Sequence, residues 1–77
     1  MKIAVYTKSH CPNCTTAKAL LKSKALDYEE FDMDNPVIRE IFMEKYPEAK
    51  QMPQIFISNQ RVGGLFGLQA ALKELGL

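Results

Sequence analysis

Cys11 and Cys14 are the only cysteines in the 77-residue chain, and they sit in the run "SHCPNCTTAKALL" with Pro12 and Asn13 between them. Two thiols at this spacing can exchange a disulfide or supply half of a metal site. Residues three apart on a helix have Cβ atoms about 5 to 6 Å apart, and a tightened first turn brings such a pair within disulfide range. Pro12 suits the first position of a helix, where its missing N–H would have had no intrahelical partner, so Cys11 falls at the N-cap. There its sulfur faces unpaired N–H groups and the positive end of the helix dipole, both of which stabilise a thiolate. Cys14 lies one turn inside and is expected to be less exposed. This asymmetry predicts that Cys11 attacks a substrate disulfide and Cys14 resolves the mixed disulfide. An ordinary thiol of pKa about 8.5 is only about 3% thiolate at pH 7, whereas CxxC pairs at helix N-termini reach about 3.5 to 7. Lys8 and His10 are the nearby groups able to add to the helix effect; His10 reads equally as an exposed loop residue, and Lys8 as a solubilising charge. A tetrahedral zinc site needs four ligands. Two cysteines and one histidine do not supply them, so no metal is expected.

Composition narrows the class further. A chain of this length buries only about 60% of its unfolded surface and holds one small core, so residues 1–77 are expected to form a single domain. Hydrophobic residues make up 47% and charged residues 25%, which suits an ordinary globular protein. The opening "MKIAVYTKSH" has too short an apolar run for a signal peptide, and no segment approaches the roughly 20 apolar residues of a membrane span. A soluble, cytoplasmic protein is therefore expected, and in that reducing compartment a close cysteine pair points to redox or metal chemistry rather than to a structural staple. The net charge of +1 argues for neither nucleic acid nor an anionic membrane as partner. The charges are segregated: Lys2, Lys8, Lys18, Lys22 and Lys24 are followed by Asp27, Glu29, Glu30, Asp32 and Asp34. The basic segment is either a solvated face or a region favouring anions near the cysteines.

These residues must be carried by regular elements. "KIAVYT" (2–7) reads as a strand buried on both faces. A helix runs from Pro12 to about Lys24, with Ala17, Leu20, Leu21 and Lys24 at helical spacing. "LDYEEFD" (26–32) reads as a second strand, and Asn35 then caps a helix beginning at Pro36 and ending before Pro47, with Ile38, Ile41, Phe42 and Tyr46 on its inner face. "QIFIS" and "QRVG" read as a hairpin turning at Ser58 to Gln60. Gly63 and Gly64 break the chain before a closing helix defined by Leu68, Ala71, Leu72 and Leu75. The order βαβαββα predicts an α/β fold: a mixed four-stranded sheet with helices on both faces, the first two strands parallel through a right-handed crossover and the last two antiparallel.

With these residues in hand, the chain resembles the glutaredoxin family over nearly its whole length. "VYTKSHCPNCTTAKALL" is similar to the family's strand, CPxC motif and first helix, "MPQIFI" to its proline-bearing strand, and "RVGGLFGL" to its glycine pair before the last helix. The resemblance implies a thioredoxin-like fold, dithiol disulfide exchange, glutathione as the reducing cosubstrate, and a cis peptide bond before Pro53. By the same resemblance the backbone of Met52 would hold the cysteine part of glutathione, while Lys8 and Arg39 would meet its glycine carboxylate. Arg39 also reads as a solvent-facing helix charge. Pro12, Asn13, Gly64, Leu65 and Phe66 complete the expected binding residues. Two positions depart from the family pattern. Asn13 stands where tyrosine is common, and Leu65, Phe66 and Gly67 stand where a small residue and an acidic or polar group would hold the γ-glutamyl end. The apolar "GGLFG" is either packing or a docking surface for a protein partner.

The expectation is therefore a small monomeric dithiol oxidoreductase that reduces protein disulfides or glutathione mixed disulfides, with a ribonucleotide reductase as a possible recipient by analogy. Two alternatives accompany it. One is a redoxin reduced by a thioredoxin-reductase-type flavoenzyme. The other is a dimer holding an iron–sulfur cluster through Cys11 of each chain, against which Pro12 counts.

Overall fold

The computed structural model describes residues 1–77 and has the element order β1 (Ile3–Thr7), α1 (Pro12–Ser23), β2 (Glu29–Asp32), α2 (Pro36–Lys45), β3 (Gln54–Ile57), β4 (Gln60–Gly63) and α3 (Leu65–Glu74). The strands form one sheet in the order β2-β1-β3-β4. β1 pairs parallel with β2 and antiparallel with β3, and β3 pairs antiparallel with β4.

The central strands are apolar throughout because both faces of the sheet are covered, which is what a strand without polar alternation requires. Ile3, Val5, Ile55 and Ile57 face α1 and α3, where Ala17, Leu21, Leu68 and Leu72 complete one core cluster. On the other face Phe56 joins Met33, Phe42 and Ala49 around α2, with Ala4, Tyr6, Ile38 and Tyr46 packed against them. Tyr6 stacks on Phe31 with ring centroids 4.8 Å apart and meets Phe42 at 4.7 Å. The second cluster is thus largely aromatic.

The structure departs from the sequence reading in three places. Ile41, expected on the inner face of α2, is 62% exposed; the helix is only ten residues long and Ile38, Phe42 and Tyr46 already cover the sheet. Strand β2 begins at Glu29 rather than at Leu26, because residues 25 and 26 finish the turn after α1, with the Leu26 N–H donating to the Leu21 carbonyl. Leu75 caps α3 and is exposed rather than packed. The β3–β4 hairpin is a two-residue loop in which Ser58 and Asn59 both have positive φ, 50° and 69°. A type I′ turn demands that at both central positions, and Ser-Asn meets it without glycine.

The register slips between Ile55 and Phe56, so Val62 is the extra residue of a bulge next to Gly63, whose φ of 104° needs glycine. The Val62 carbonyl faces α3 so closely that a Cβ on Gly67 would overlap it. Gly67→Ala must displace the backbone of β4 or the start of α3, and overpacking of this kind costs about 1 to 3 kcal/mol. Thermal denaturation should show the melting temperature lowered by at least several degrees, about 4 to 8 °C for each kcal/mol at this size. An unchanged melt would mean that α3 sits further from β4 than described.

Candidate active site

Strand β1 delivers the chain to one end of the sheet, residues 8–10 turn it, and α1 starts under the turn. His10, immediately before the first cysteine, has left-handed backbone, φ 54°, a conformation uncommon for a non-glycine residue. Cys11 is the N-cap of α1 with extended backbone and Pro12 is the first helical residue. The cap acceptor is the sulfur: the backbone N–H of Cys14 donates to Cys11 Sγ at 3.1 Å. A side-chain acceptor for that N–H is what an N-cap normally supplies through oxygen. Cys11 and Cys14 are joined as a disulfide between the N-cap and the first turn of α1, with Cα atoms 5.2 Å apart. Cys14 is 2% exposed and belongs to the buried face of α1, whereas Cys11 is half-buried.

The second element of the site comes from the loop before β3. The Met52–Pro53 peptide bond is cis, as the resemblance implied. Pro53 is buried and Met52 half-buried, and the Met52 carbonyl oxygen lies 3.4 Å from Cys11 Sγ.

Two depressions of different chemistry flank this contact. The first, about 610 Å³, contains both cysteines with Lys8, His10, Lys18, Glu30, Asp32 and Asp34. Its floor is organised around the Glu30 carboxylate. Thr7, 4% exposed at the end of β1, donates its hydroxyl to Glu30 Oε2 at 2.8 Å, and Lys18 Nζ donates to the same oxygen at 2.9 Å. A buried hydroxyl is thereby satisfied, and α1 is tied to β2 one turn beyond Cys14. The Ser9 N–H donates to Asp34 Oδ2 at 3.0 Å and pins the turn before Cys11. The second depression, about 230 Å³, is bordered by Asn13, Met52, Pro53, Gly64, Leu65 and Phe66, and no charged side chain lines it.

Nearly all the residues expected from sequence meet here. Lys8 lies in the charged cleft with the cysteines; Asn13, Met52, Pro53, Gly64, Leu65 and Phe66 share the uncharged groove. Pro12 is exposed at the helix start. Arg39 is not brought in: it lines neither depression and its Nη1 donates to the Met33 carbonyl at 3.3 Å. The sequence places Lys18 and Glu30 only among the segregated charges and does not predict that they meet each other and Thr7. The signal for Thr7 was the alternation Ile3, Val5, Thr7, which places the hydroxyl on the buried face below α1.

Residues 3–62 match the family model for glutaredoxin. The chain belongs to the glutaredoxin family. It is 46% identical over 74 residues to glutaredoxin 1 of Rickettsia conorii, an alignment spanning 94% of this chain and 72% of that protein. It is 40% identical over 75 residues to glutaredoxin 3 of Escherichia coli K12, covering 97% of this chain and 90% of the other. The fold is similar to the crystal structure of glutaredoxin 1 from Francisella tularensis complexed with cacodylate, with a TM-score of 0.81 and 28% identity over 99% of this chain and 98% of that one. The glutaredoxin fold, the thioredoxin-like mixed sheet with three helices, and a cysteine pair able to form a disulfide therefore belong to this chain.

The hydrogen bond from Lys18, followed by that from Thr7, holds the Glu30 carboxyl below the ordinary carboxylate range. The same bond to Glu30 holds Lys18 above the usual lysine value. A depressed carboxylate contributes stability above its unfolded pKa, about 4.3, and that contribution is lost as the pH falls through the folded value. Glu30→Gln keeps a hydrogen-bonding group for Thr7 and removes the titration. Its melting temperature should fall less than that of the wild type on acidification from about pH 6 to below about pH 3. Parallel curves for the two proteins would show that Glu30 is not paired in solution.

Proposed function

We propose that this glutaredoxin is a dithiol thiol-disulfide oxidoreductase in which Cys11 is the nucleophile and Cys14 the resolving thiol. Its substrates are protein disulfides or glutathione mixed disulfides, and glutathione is the reductant. The observation that carries the reading is the Cys14 N–H donating to the half-buried Cys11 sulfur at the start of α1, while Cys14 itself is buried. Hydrogen-bond donation and the helix dipole favour negative charge on Cys11 and not on Cys14.

The Cys11 thiolate attacks one sulfur of the substrate disulfide. A Cys11–substrate disulfide forms, and the other substrate sulfur leaves as a thiolate that takes up a proton. Cys14 then gives up its proton and attacks Cys11 Sγ; the Cys11–Cys14 disulfide forms and the second substrate thiol departs. The substrate has gained two electrons and two protons, and two glutathione thiols restore the dithiol while becoming glutathione disulfide. The reaction is complete within one chain, which suits a monomer, and it runs in a reducing compartment such as the cytoplasm. A ribonucleotide reductase is a recipient that family analogy suggests.

Support for glutathione comes from the named glutaredoxin relatives and from Lys8, a cation beside the cysteines that a ligand carboxylate can meet. A second reading, reduction by a thioredoxin-reductase-type flavoenzyme, is favoured by the uncharged groove on the other side of Cys11. Turnover with glutathione, glutathione reductase and NADPH should exceed turnover with thioredoxin reductase and NADPH; the reverse order would assign the flavoenzyme as reductant. In the same assay Cys11→Ser should lose exchange with every disulfide, whereas Cys14→Ser should retain the first step and accumulate a mixed disulfide detectable by mass. If Cys14→Ser were the inactive variant, the roles would be reversed.

A further inference from the structure

Aromatic rings gather on the α2 face of the sheet, at a place the thiol chemistry does not use. A depression of about 340 Å³ lies there between α2 and strands β1 and β2, walled by Tyr6, Phe31, Phe42, Tyr46 and Phe56. Ala4 adds only a methyl group to the lining, and Ile41, 62% exposed, stands at the rim. Neither cysteine lines it, nor does Met52 or Pro53. Small-molecule sites are concavities of about 300 to 1,000 Å³ with apolar walls and a few placed polar groups, so this one has the size for a compact ligand. We infer that it binds a small planar aromatic anion, one or two fused rings carrying a carboxylate.

The walls argue for a ring. Tyr6 stacks on Phe31 with 19° between the planes and meets Phe42 and Phe56 at 46° and 71°. The rings are therefore turned at several angles, and a further ring can find the offset or edge-on contact that aromatic pairs prefer. The rim sets the sign of the charge. Lys2 and Lys45 are exposed there, with Glu29 as the one carboxylate. The ion pairs of the structure, Lys18–Glu30 and Arg61–Glu48, engage none of the three. The rim thus carries a surplus positive charge, and both ammonium groups are free to meet a carboxylate. Burial, followed by Tyr46 and Glu29, holds the Tyr6 hydroxyl above the usual phenol value. It stays protonated across the neutral range and offers a hydrogen-bond donor rather than a second negative charge. A cationic ring would meet two like charges for one opposite, and an uncharged ring would leave both lysines without a partner.

The test is a titration of the oxidised protein with 2-naphthoate at low ionic strength, followed residue by residue through amide chemical shifts. Alongside it run 2-naphthylmethanol, 2-naphthylmethylammonium and acetate, which remove the charge, reverse it and remove the ring. Naphthoate should bind with a Kd of about 1 mM or below, the affinity general to ligands of that size. The shifts should centre on residues 4, 6, 31 and 42 and spare residues 11 to 14. The alcohol should bind more weakly than naphthoate and the ammonium compound more weakly still, while acetate shifts nothing at these positions. Lys2→Gln and Lys45→Gln, both at exposed positions, should each weaken naphthoate by about two- to five-fold, and Glu29→Gln should tighten it by a similar factor. Added salt should shrink all three effects. No saturable shift at the aromatic wall, or shifts centred on the cysteines instead, would overturn the site. Equal binding of the alcohol or the ammonium compound, or naphthoate affinity unmoved by the lysine and glutamate variants, would overturn the assignment of an anion.

Discussion

The hydrogen bond from the Cys14 N–H to Cys11 Sγ makes a cysteine sulfur the cap of a helix, and the rest of the site is arranged around that position. The N–H it satisfies is one of the orphan donors that every helix start carries. Pro12 removes another of them, which leaves the sulfur as the group toward which the helix start points. Because α1 is held by Ala17 and Leu21, both fully buried, the cap cannot drift without disturbing the core. The Met52 carbonyl closes the site from the opposite side. The two cysteine sulfurs and the Met52 carbonyl beside them are thus fixed by the start of α1 and the loop before β3, which meet at one end of the sheet.

The two sides of Cys11 are chemically unlike, and that difference shapes the functional account. On the α1–β2 side, Lys18 pairs with the Glu30 carboxylate beside Thr7, and Lys8, Asp32 and Asp34 line the same charged cleft. On the cis-Pro53 and α3 side the wall is backbone, amide and apolar carbon.

Much of this was legible in the sequence where a residue type has few conformational options. Pro12 and Pro36 marked helix starts and Asn35 a cap, all as found. The continuous apolar runs of β1 and β3 signalled a sheet covered on both faces. Harder to read were features in which ordinary residues take unusual roles. Ala25 ends α1 with left-handed backbone, φ 55°, where glycine would have announced the stop. Ser58 and Asn59 make a glycine-type hairpin turn. Ile41 obeys helical spacing yet faces solvent, because periodicity defines a stripe and not how wide a stripe the sheet can cover. In the site itself the cysteine pair, Lys8 and the Met52–Pro53 segment followed from motif and resemblance, whereas the Thr7–Glu30–Lys18 cluster depends on a parallel register, Val5 opposite Glu30, that no local pattern encodes. Arg39, which also read as a solvent-facing helix charge, is exposed on α2 and donates to the Met33 carbonyl.

The central claim is that the helix start stabilises negative charge on Cys11 and not on Cys14. Its most direct measurement is the titration of each thiol in the fully reduced protein, followed by thiolate absorbance in the ultraviolet and assigned with Cys11→Ser and Cys14→Ser. The account predicts that the thiol remaining in Cys14→Ser ionises well below the ordinary value of about 8.5, while the one remaining in Cys11→Ser does not. Ionisation of both at the ordinary value, or of Cys14 before Cys11, would contradict it.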